Sequence, residues 1–381
     1  MVMEVMEGKS RRLQKIIYAL TAFNAVCLLF IYMAGTLVAE RCWLTIVLGY
    51  VPQQAYGIPT ALLLVWSLIQ KRWWLAALNI TAAVFFIVLL MGFNVPHSDA
   101  HRQTGRTVRV MTYNIHHASQ GVPLIINDIK RMHADIVCLQ ETNQMKLWHD
   151  PMPEIERRLP GWHSTAVGQL AIVSRYPIKD KYFYRSGDDT WRGFILANVV
   201  VKDRELCVVD VHLTKAASIH EITRHHDSIA PFLDCTTALR SRQISDIMEM
   251  ASELKRPFVV AGDFNTPPRG RLYRRMVRRF SDAFHARGWG FGYSYRSDLP
   301  IMRIDYIFTT PGIHPLKCAA PALSGSDHRP VVADLDITRR SSSHHYPWDG
   351  IKPAQRDVNI KWYPAEETEK WANRGRIEDE R

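Results

Sequence analysis

Amide, carboxylate and imidazole side chains recur at the ends of short apolar runs in this chain. Val110-Met111-Thr112-Tyr113-Asn114 ends in an amide, Asp135-Ile136-Val137-Cys138-Leu139-Gln140-Glu141 in a carboxylate, and Val208-Val209-Asp210-Val211-His212 in an imidazole. Val259-Val260-Ala261-Gly262-Asp263-Phe264-Asn265 sets a carboxylate and an amide two residues apart, on one side of an extended backbone. Arg303-Ile304-Asp305-Tyr306-Ile307 carries a further carboxylate, and Ser326-Asp327-His328-Arg329-Pro330 an adjacent Asp-His pair. Taken singly, Asn114, Glu141 and Gly262-Asp263 read as turn or surface residues. As a set, oxygen donors that follow apolar runs suit a hard cation, and no tight Cys/His spacing of the zinc kind accompanies them.

Such groups need strands to hold them. Val108 to Tyr113, Asp135 to Leu139, Leu170 to Ser174 and Phe194 to Val201 are short and rich in Val, Ile and Leu. So are Leu206 to Leu213, Phe258 to Ala261, Ile304 to Thr309 and Val331 to Ile337, and all eight are expected to be strands. Leu124 to Met132 and Ala238 to Leu254 repeat with helical period. Many short strands with a few helices predict an α+β layered domain, sheets inside and helices outside. No repeat of solenoid or propeller period is present.

Asn114, Gln140-Glu141, His212, Gly262-Asp263-Phe264-Asn265, Arg303-Ile304-Asp305-Tyr306 and Ser326-Asp327-His328-Arg329-Pro330 follow one another in the order of the endonuclease/exonuclease/phosphatase superfamily. The chain resembles that deoxyribonuclease I-like group from about Val108 to Ile337. The resemblance implies a four-layer α/β-β/α sandwich and Mg²⁺- or Mn²⁺-assisted attack of water on a phosphoester, a phosphodiester above all. It implies metal binding by Glu141, with Asn114 beside it and Asp327 added to the metal or water network. Asp263 is implied to orient or deprotonate the attacking water, and Asn265 to donate to a phosphate oxygen. His328 is implied near the scissile phosphate, as base or as charged clamp, with Asp305 setting its tautomer and raising its pKa. His212 is implied to complete the phosphate contacts or to help protonate the leaving group. One divalent ion is expected, with a second left open.

The pattern departs from the family's at two places. Where abasic-site nucleases of the family carry a metal-binding Asp, two residues after Asn114, this chain has His116 followed by His117. That speaks against the abasic-site subtype and makes His116 a candidate ligand or substrate contact, or an ordinary loop histidine. The further catalytic group expected between Glu141 and His212 has no clear counterpart. Arg175 and Arg192 are candidates for phosphate contacts.

Two segments are candidates for substrate handling. Thr214 to Thr237 is a long insertion holding His220, His225, His226 and Asp234, with the length of a lid or of a variable surface loop. Arg269, Arg271, Arg274, Arg275, Arg278 and Arg279 follow the Asp263 motif and read either as a solvated helix face or as an attractor of polyanions or anionic headgroups.

Before residue 97 lie three charge-free stretches, 16–39, 43–70 and 73–96. Each exceeds the roughly 20 apolar residues that span a bilayer. Three transmembrane helices are therefore expected in a membrane domain over 1–96, with the middle one interrupted by Pro52, Gly57 and Pro59. A polar linker over 97–107, a catalytic domain over 108–338 and a polar, loosely held tail over 339–381 complete the chain. Lys9, Arg11, Arg12 and Lys15 precede the first stretch, and Lys71 and Arg72 separate the second from the third. By the positive-inside rule the N-terminus is expected in the cytoplasm and the catalytic domain outside it; if the middle stretch does not cross, the orientation reverses.

The net charge of +11 suits anionic membrane surfaces and nucleic acid alike. The expected partners are the lipid bilayer and a phosphoester substrate, either nucleic acid or a phospholipid headgroup, and no obligate protein partner is evident. The competing reading is a catalytically silent homologue serving as a membrane-tethered binding or scaffold protein, whose hallmark would be loss of one of these residues.

Overall fold

In the computed structural model, the described residues are 2–97, 105–142, 150–185, 193–216, 229–254, 256–323, 325–338 and 362–364. The chain forms two compact units, Met1–Asn94 with Arg269–Arg271, and Val95–Pro268 with Leu272–Arg381. Arg192, His220, His225 and His226 lie outside the described residues.

In the first unit, α1 (Val2–Met33), α2 (Trp43–Tyr50), α3 (Ile58–Ile69) and α4 (Trp73–Phe85) are the α-helices. Two helical stretches, Arg12–Arg41 and Trp73–Leu90, are long and apolar enough to cross a membrane. The middle expected helix, over 43–70, is not continuous. Val51 turns extended ahead of Pro52, as a residue before proline prefers, and a 3-10 turn over Gln53–Gly57 separates α2 from α3. Buried polar side chains tie these helices together: Asn24 Nδ2 of α1 donates to Thr60 Oγ1 of α3 at 2.9 Å, and Asn79 Nδ2 of α4 to Ser67 Oγ of α3 at 3.4 Å.

The second unit is built on two sheets. The first is ordered β11 (Ile313–Ala319), β12 (Val331–Ile337), β1 (Thr107–Asn114), β2 (Ile136–Gln140), β4 (Leu170–Ser174), β3 (His163–Val167). The second is ordered β13 (Trp362–Pro364), β5 (Ile178–Arg185), β6 (Gly193–Val201), β7 (Arg204–His212), β8 (Phe258–Asp263), β10 (Asp305–Thr309), β9 (Ser281–Asp282). β13 falls in the tail expected to be loose. Its backbone pairs antiparallel with β5, Trp362 opposite Tyr184, and so extends the sheet edge.

Alternation along the strands decides the layers. Val108, Val110, Ile136 and Cys138 face Val208, Val259, Ala261 and Ile307 in an apolar core between the sheets. The alternate residues Met111, Tyr113, Val137 and Leu139 pack outward with Ile125 and Ile129 of α5 (Val122–Arg131) and Ile155 of α6 (Met152–Arg158). Val209, Val211 and Val260 pack outward on Ile244, Ile247 and Met250 of a long helix, α7 (Ile229–Glu253). Because both faces are covered, these strands read as continuous apolar runs. The result is the expected α/β-β/α sandwich.

Candidate active site

The same alternation carries the polar residues. Asn114 and Gln140 continue the inner faces of β1 and β2, and Asp210, His212, Asp263 and Asp305 continue those of β7, β8 and β10. Pairing then sets their level. Asn114 stands opposite Gln140 in the first sheet, while His212 stands opposite Asp263 and Asp263 opposite Asp305 in the second. Two rows of polar groups therefore meet at one end of the inter-sheet core.

A polar layer separates the rows from the apolar core. Gln140 Nε2 donates to Asp210 Oδ1 at 2.6 Å across the sheets and to Thr112 Oγ1 at 3.0 Å within its own. Complete burial holds the Asp210 carboxyl well above the usual range, with the Gln140 hydrogen bond opposing. Gly262 allows β8 to lie close to β7, since a Cβ there would collide with the Val211 carbonyl oxygen, and its φ is +153°.

Above that layer Asp263 is the hub. Its Oδ1 accepts from the Asn265 backbone N–H at 2.8 Å and its Oδ2 from Asn114 Nδ2 at 3.1 Å. His212 Nε2 and His328 Nε2 lie 3.7 and 3.9 Å from Oδ2. Burial and the neighbouring Asp305 push the Asp263 carboxyl up to about 7, against the pull of His328, Asn265 and Asn114. His328 Nδ1 pairs with Asp305 Oδ2 at 2.9 Å. Burial works to lower the His328 pKa, but Asp305, Asp263 and Asp327 outweigh it and push the pKa up to about 10. Ser294 Oγ accepts from the backbone N–H groups of Ile304 and Asp305, and the Tyr295 ring lies 4.9 Å from the His328 ring.

Glu141 faces Asp263 from the other sheet. Asn114 Nδ2 donates to its Oε1 at 3.0 Å, and His212 Nε2 is 3.9 Å from the same oxygen. The amide of Asn114 thus bridges Glu141 and Asp263, while its Oδ1 accepts from the His116 backbone N–H at 3.0 Å. Asn265 is buried, its carboxamide donating to the Leu213 carbonyl at 3.0 Å. Asp327 sits at the rim, 39% exposed, 3.6 Å from His116 Nδ1.

Asn114, Glu141, His212, Asp263, Asn265, Asp305, Asp327 and His328 are therefore brought together. Arg175 is not. It follows Ser174, which pairs with Ile136 at the start of β2, and its Nε donates to the Ala134 carbonyl at the end of the sheet away from Glu141. Within the Arg-rich run, Arg275 donates to Ser241 and Ser245, and Arg279 to the Ala251 carbonyl, all on α7. Sequence reading missed Ser294, Tyr295 and the contact of His117 with Glu141. Ser294 and Tyr295 lie in a stretch without periodicity, and their role arises only where that stretch crosses His328.

The donor set suits a divalent cation. Three carboxylates, Glu141, Asp263 and Asp305, converge with one amide, and among the described residues Asp305 Oδ1 is a buried oxygen with no hydrogen-bond partner. Asp263, Asp305 and His328 are close enough to chelate an ion. The cationic His328, committed to Asp305, argues for Glu141 as the primary ligand instead.

Sign determines a test without metal. Both Asp263 and His328 have folded pKa values raised above their ordinary 3.8 and 6.5. Each contributes stability that is complete below its ordinary pKa and is lost as pH rises through about 7 and about 10 respectively. In EDTA the melting temperature is expected to fall steadily between pH 5 and pH 10, and His328→Asn to flatten the upper part of that fall. A level profile, read by thermal melts of the detergent-solubilised chain, would contradict the assigned ionisation.

The sequence over residues 111–328 matches the Endonuclease/Exonuclease/phosphatase family. No curated protein matches the chain. Among solved structures, it is similar to an endonuclease/exonuclease/phosphatase family protein from Bacteroides thetaiotaomicron, at TM-score 0.48 and 19% identity, covering 64% of this chain and 100% of that one. A mannosyl-6-phosphatase of the same organism is similar at TM-score 0.48 and 18% identity, over 60% of this chain and 99% of that one. The human Nocturnin catalytic domain, solved with a bound sulfate anion, is similar at TM-score 0.46 and 19% identity, over 62% and 97%.

Proposed function

Because the chain belongs to the Endonuclease/Exonuclease/phosphatase family, we propose that it is a membrane-anchored, divalent-metal-dependent hydrolase that cleaves a phosphoester by attack of water. The single observation that carries this reading is the convergence of Glu141, Asp263, Asp305, His212 and His328 at one end of the inter-sheet core. A silent homologue would have lost one of these groups, and all are in place.

Asp263 is the proton acceptor. A carboxyl with a pKa near 7, buried and held at both oxygens, takes a proton from water without rotating away. His328, kept cationic by Asp305, directs Nε2–H at a phosphate oxygen and offsets the negative charge that builds as the water oxygen bonds to phosphorus and the ester oxygen departs. His212 lies beside both Asp263 and Glu141 and makes a second phosphate contact. Glu141 would hold Mg²⁺ or Mn²⁺, with Asn114 keeping Glu141 and Asp263 apart at a fixed spacing and Asp327 contributing from the rim. When bound, the ion supplies Lewis-acid stabilisation of the phosphate and leaving oxygens.

The tether supports a phospholipid headgroup as the first substrate to try. A catalytic unit on the same chain as membrane-competent helices meets headgroup phosphates at high effective concentration. Nucleic acid is the second reading, favoured by the net charge of +11. The full chain in mixed micelles with Mg²⁺ or Mn²⁺ is expected to release water-soluble phosphate or phosphorylated headgroup from phospholipid. DNA, RNA, sphingomyelin and inositol phosphates are the competing arms and EDTA the control. No hydrolysis in any arm would end the enzyme reading.

Orientation rests on charge. If 43–70 crosses as a broken helix, Lys71 and Arg72 share the cytoplasmic side with Lys9, Arg11, Arg12 and Lys15, and the catalytic unit lies outside. Two crossings alone would leave Lys71 and Arg72 on the wrong side. A reporter fused after Pro96 is expected to be active outside the cytoplasm, and a cytoplasmic signal would reverse the placement.

A further inference from the structure

The turn after β1 is bent in a way that side chains resist. His116, His117 and Ala118 have φ of +44°, +53° and +53°, three consecutive non-glycine residues in the left-handed region. Such a conformation is unfavourable for residues with a Cβ and persists only where surrounding contacts over-determine it. Here the contacts lead to Glu141. The Ile115 N–H donates to the Gln140 carbonyl at 3.0 Å, the His117 N–H donates to the Glu141 carbonyl at 3.1 Å, and Asn114 Oδ1 accepts from the His116 N–H. Glu141 itself has φ of +57°. Two strained turns on adjacent strands are thus clipped together.

The side chains separate as a consequence. His116, the expected ligand, turns outward to Ser119 Oγ at 3.2 Å and Asp327 at 3.6 Å, with its side chain 46% exposed. His117 turns inward, its Nε2 3.5 Å from Glu141 Oε2. That oxygen is not the one bonded to Asn114, which is Oε1. Two donors on one octahedral ion at about 2.1 Å each stand roughly 3 Å apart when at right angles. The His117–Glu141 separation of 3.5 Å exceeds that by about half an ångström.

We infer that His117 supplies an imidazole nitrogen to the cation held by Glu141, and that this donor biases the site towards Mn²⁺ over Mg²⁺. The inference rests on the proposed metal-dependent reading of the site and deepens it. Imidazole suits first-row transition ions, whereas Mg²⁺ prefers an all-oxygen, near-ideal octahedron. A plain ion pair between His117 and Glu141 would give no metal preference, which is where the two explanations part.

Binding separates them without recourse to turnover. The detergent-solubilised full chain is titrated with Mn²⁺ under electron paramagnetic resonance, and Mg²⁺ is then used to displace it. His117→Ala is expected to weaken Mn²⁺ about tenfold or more and Mg²⁺ much less, bringing the two affinities together. His117→Asp, which restores a donor but an oxygen one, is expected to keep Mn²⁺ binding and make Mg²⁺ the better competitor. Far-UV circular dichroism verifies the fold of both variants, and the Asp variant carries the test if the Ala variant does not fold. Unchanged Mn²⁺ affinity in His117→Ala, equal losses for both ions, or an unaltered Mg²⁺/Mn²⁺ ratio in His117→Asp would overturn the assignment of His117 alone. Wild-type protein that binds neither ion would overturn the metal-dependent reading beneath it.

Discussion

Asp263→Asn is expected to lower the rate of phosphoester hydrolysis by about 10²- to 10⁴-fold, the range that a positioned general base contributes. The substitution is nearly isosteric, so the loss isolates the proton acceptor. Its structural cost is small for an identifiable reason. An amide at this position turns an NH₂ towards either Asn265 N–H or Asn114 Nδ2, which loses one hydrogen bond of two. It also removes a buried charge, whose desolvation together with repulsion from Asp305 pushes the Asp263 carboxyl up to about 7. In EDTA at pH 8, the melting temperature of Asp263→Asn is therefore expected to equal or exceed that of the wild type. The rate is read in the arm of the substrate panel that the wild type hydrolyses. A variant with full activity would remove Asp263 from the chemistry, and one that no longer folds would show that the carboxylate is structural.

The second large effect is at Glu141. Glu141→Ala removes the carboxylate that approaches the Asp263 group from the opposite sheet and leaves Asn114 with Asp263 as its remaining carboxylate acceptor. Metal stabilisation of a developing phosphate charge is worth several kcal/mol, so a loss of about 10³-fold or more is expected. The diagnostic feature is interaction with chelator. EDTA is expected to abolish wild-type turnover and to add nothing to the loss in Glu141→Ala, because both act on the same ion. Residual activity in the variant that EDTA still removes would place the working ion elsewhere, with the Asp263–Asp305–His328 trio the next candidate.

Much of this arrangement was readable along the chain, and the reasons are local. Period-two alternation carries through each strand, so Asp263 must share a face with Val259 and Ala261, and His212 with Val208. Motif order then identified all eight residues now gathered at the inter-sheet end. Reading by position failed where contacts are distant. Arg175 follows an apolar run as Glu141 does, but β4 runs antiparallel to β2, so the end of one strand lies beside the start of the other. Of the arginines after Asp263, which along the chain read as a solvated helix face or an attractor of anions, Arg275 and Arg279 are bonded to α7. The 43–70 stretch has the composition of a span and is broken by its own prolines and glycine.

The sequence by itself determined the layered fold, the family and the chemical types available, because propensity, alternation and motif order are carried by neighbouring residues. Tertiary structure alone decided which strand ends meet, which oxygen of Glu141 faces Asn114 and which faces His117. It also decided that His117, not His116, turns to the carboxylate. The physical reason is that register between strands and the left-handed turn after β1 are imposed by contacts between segments far apart in the chain, and no local preference of His116, His117 or Ala118 favours that turn.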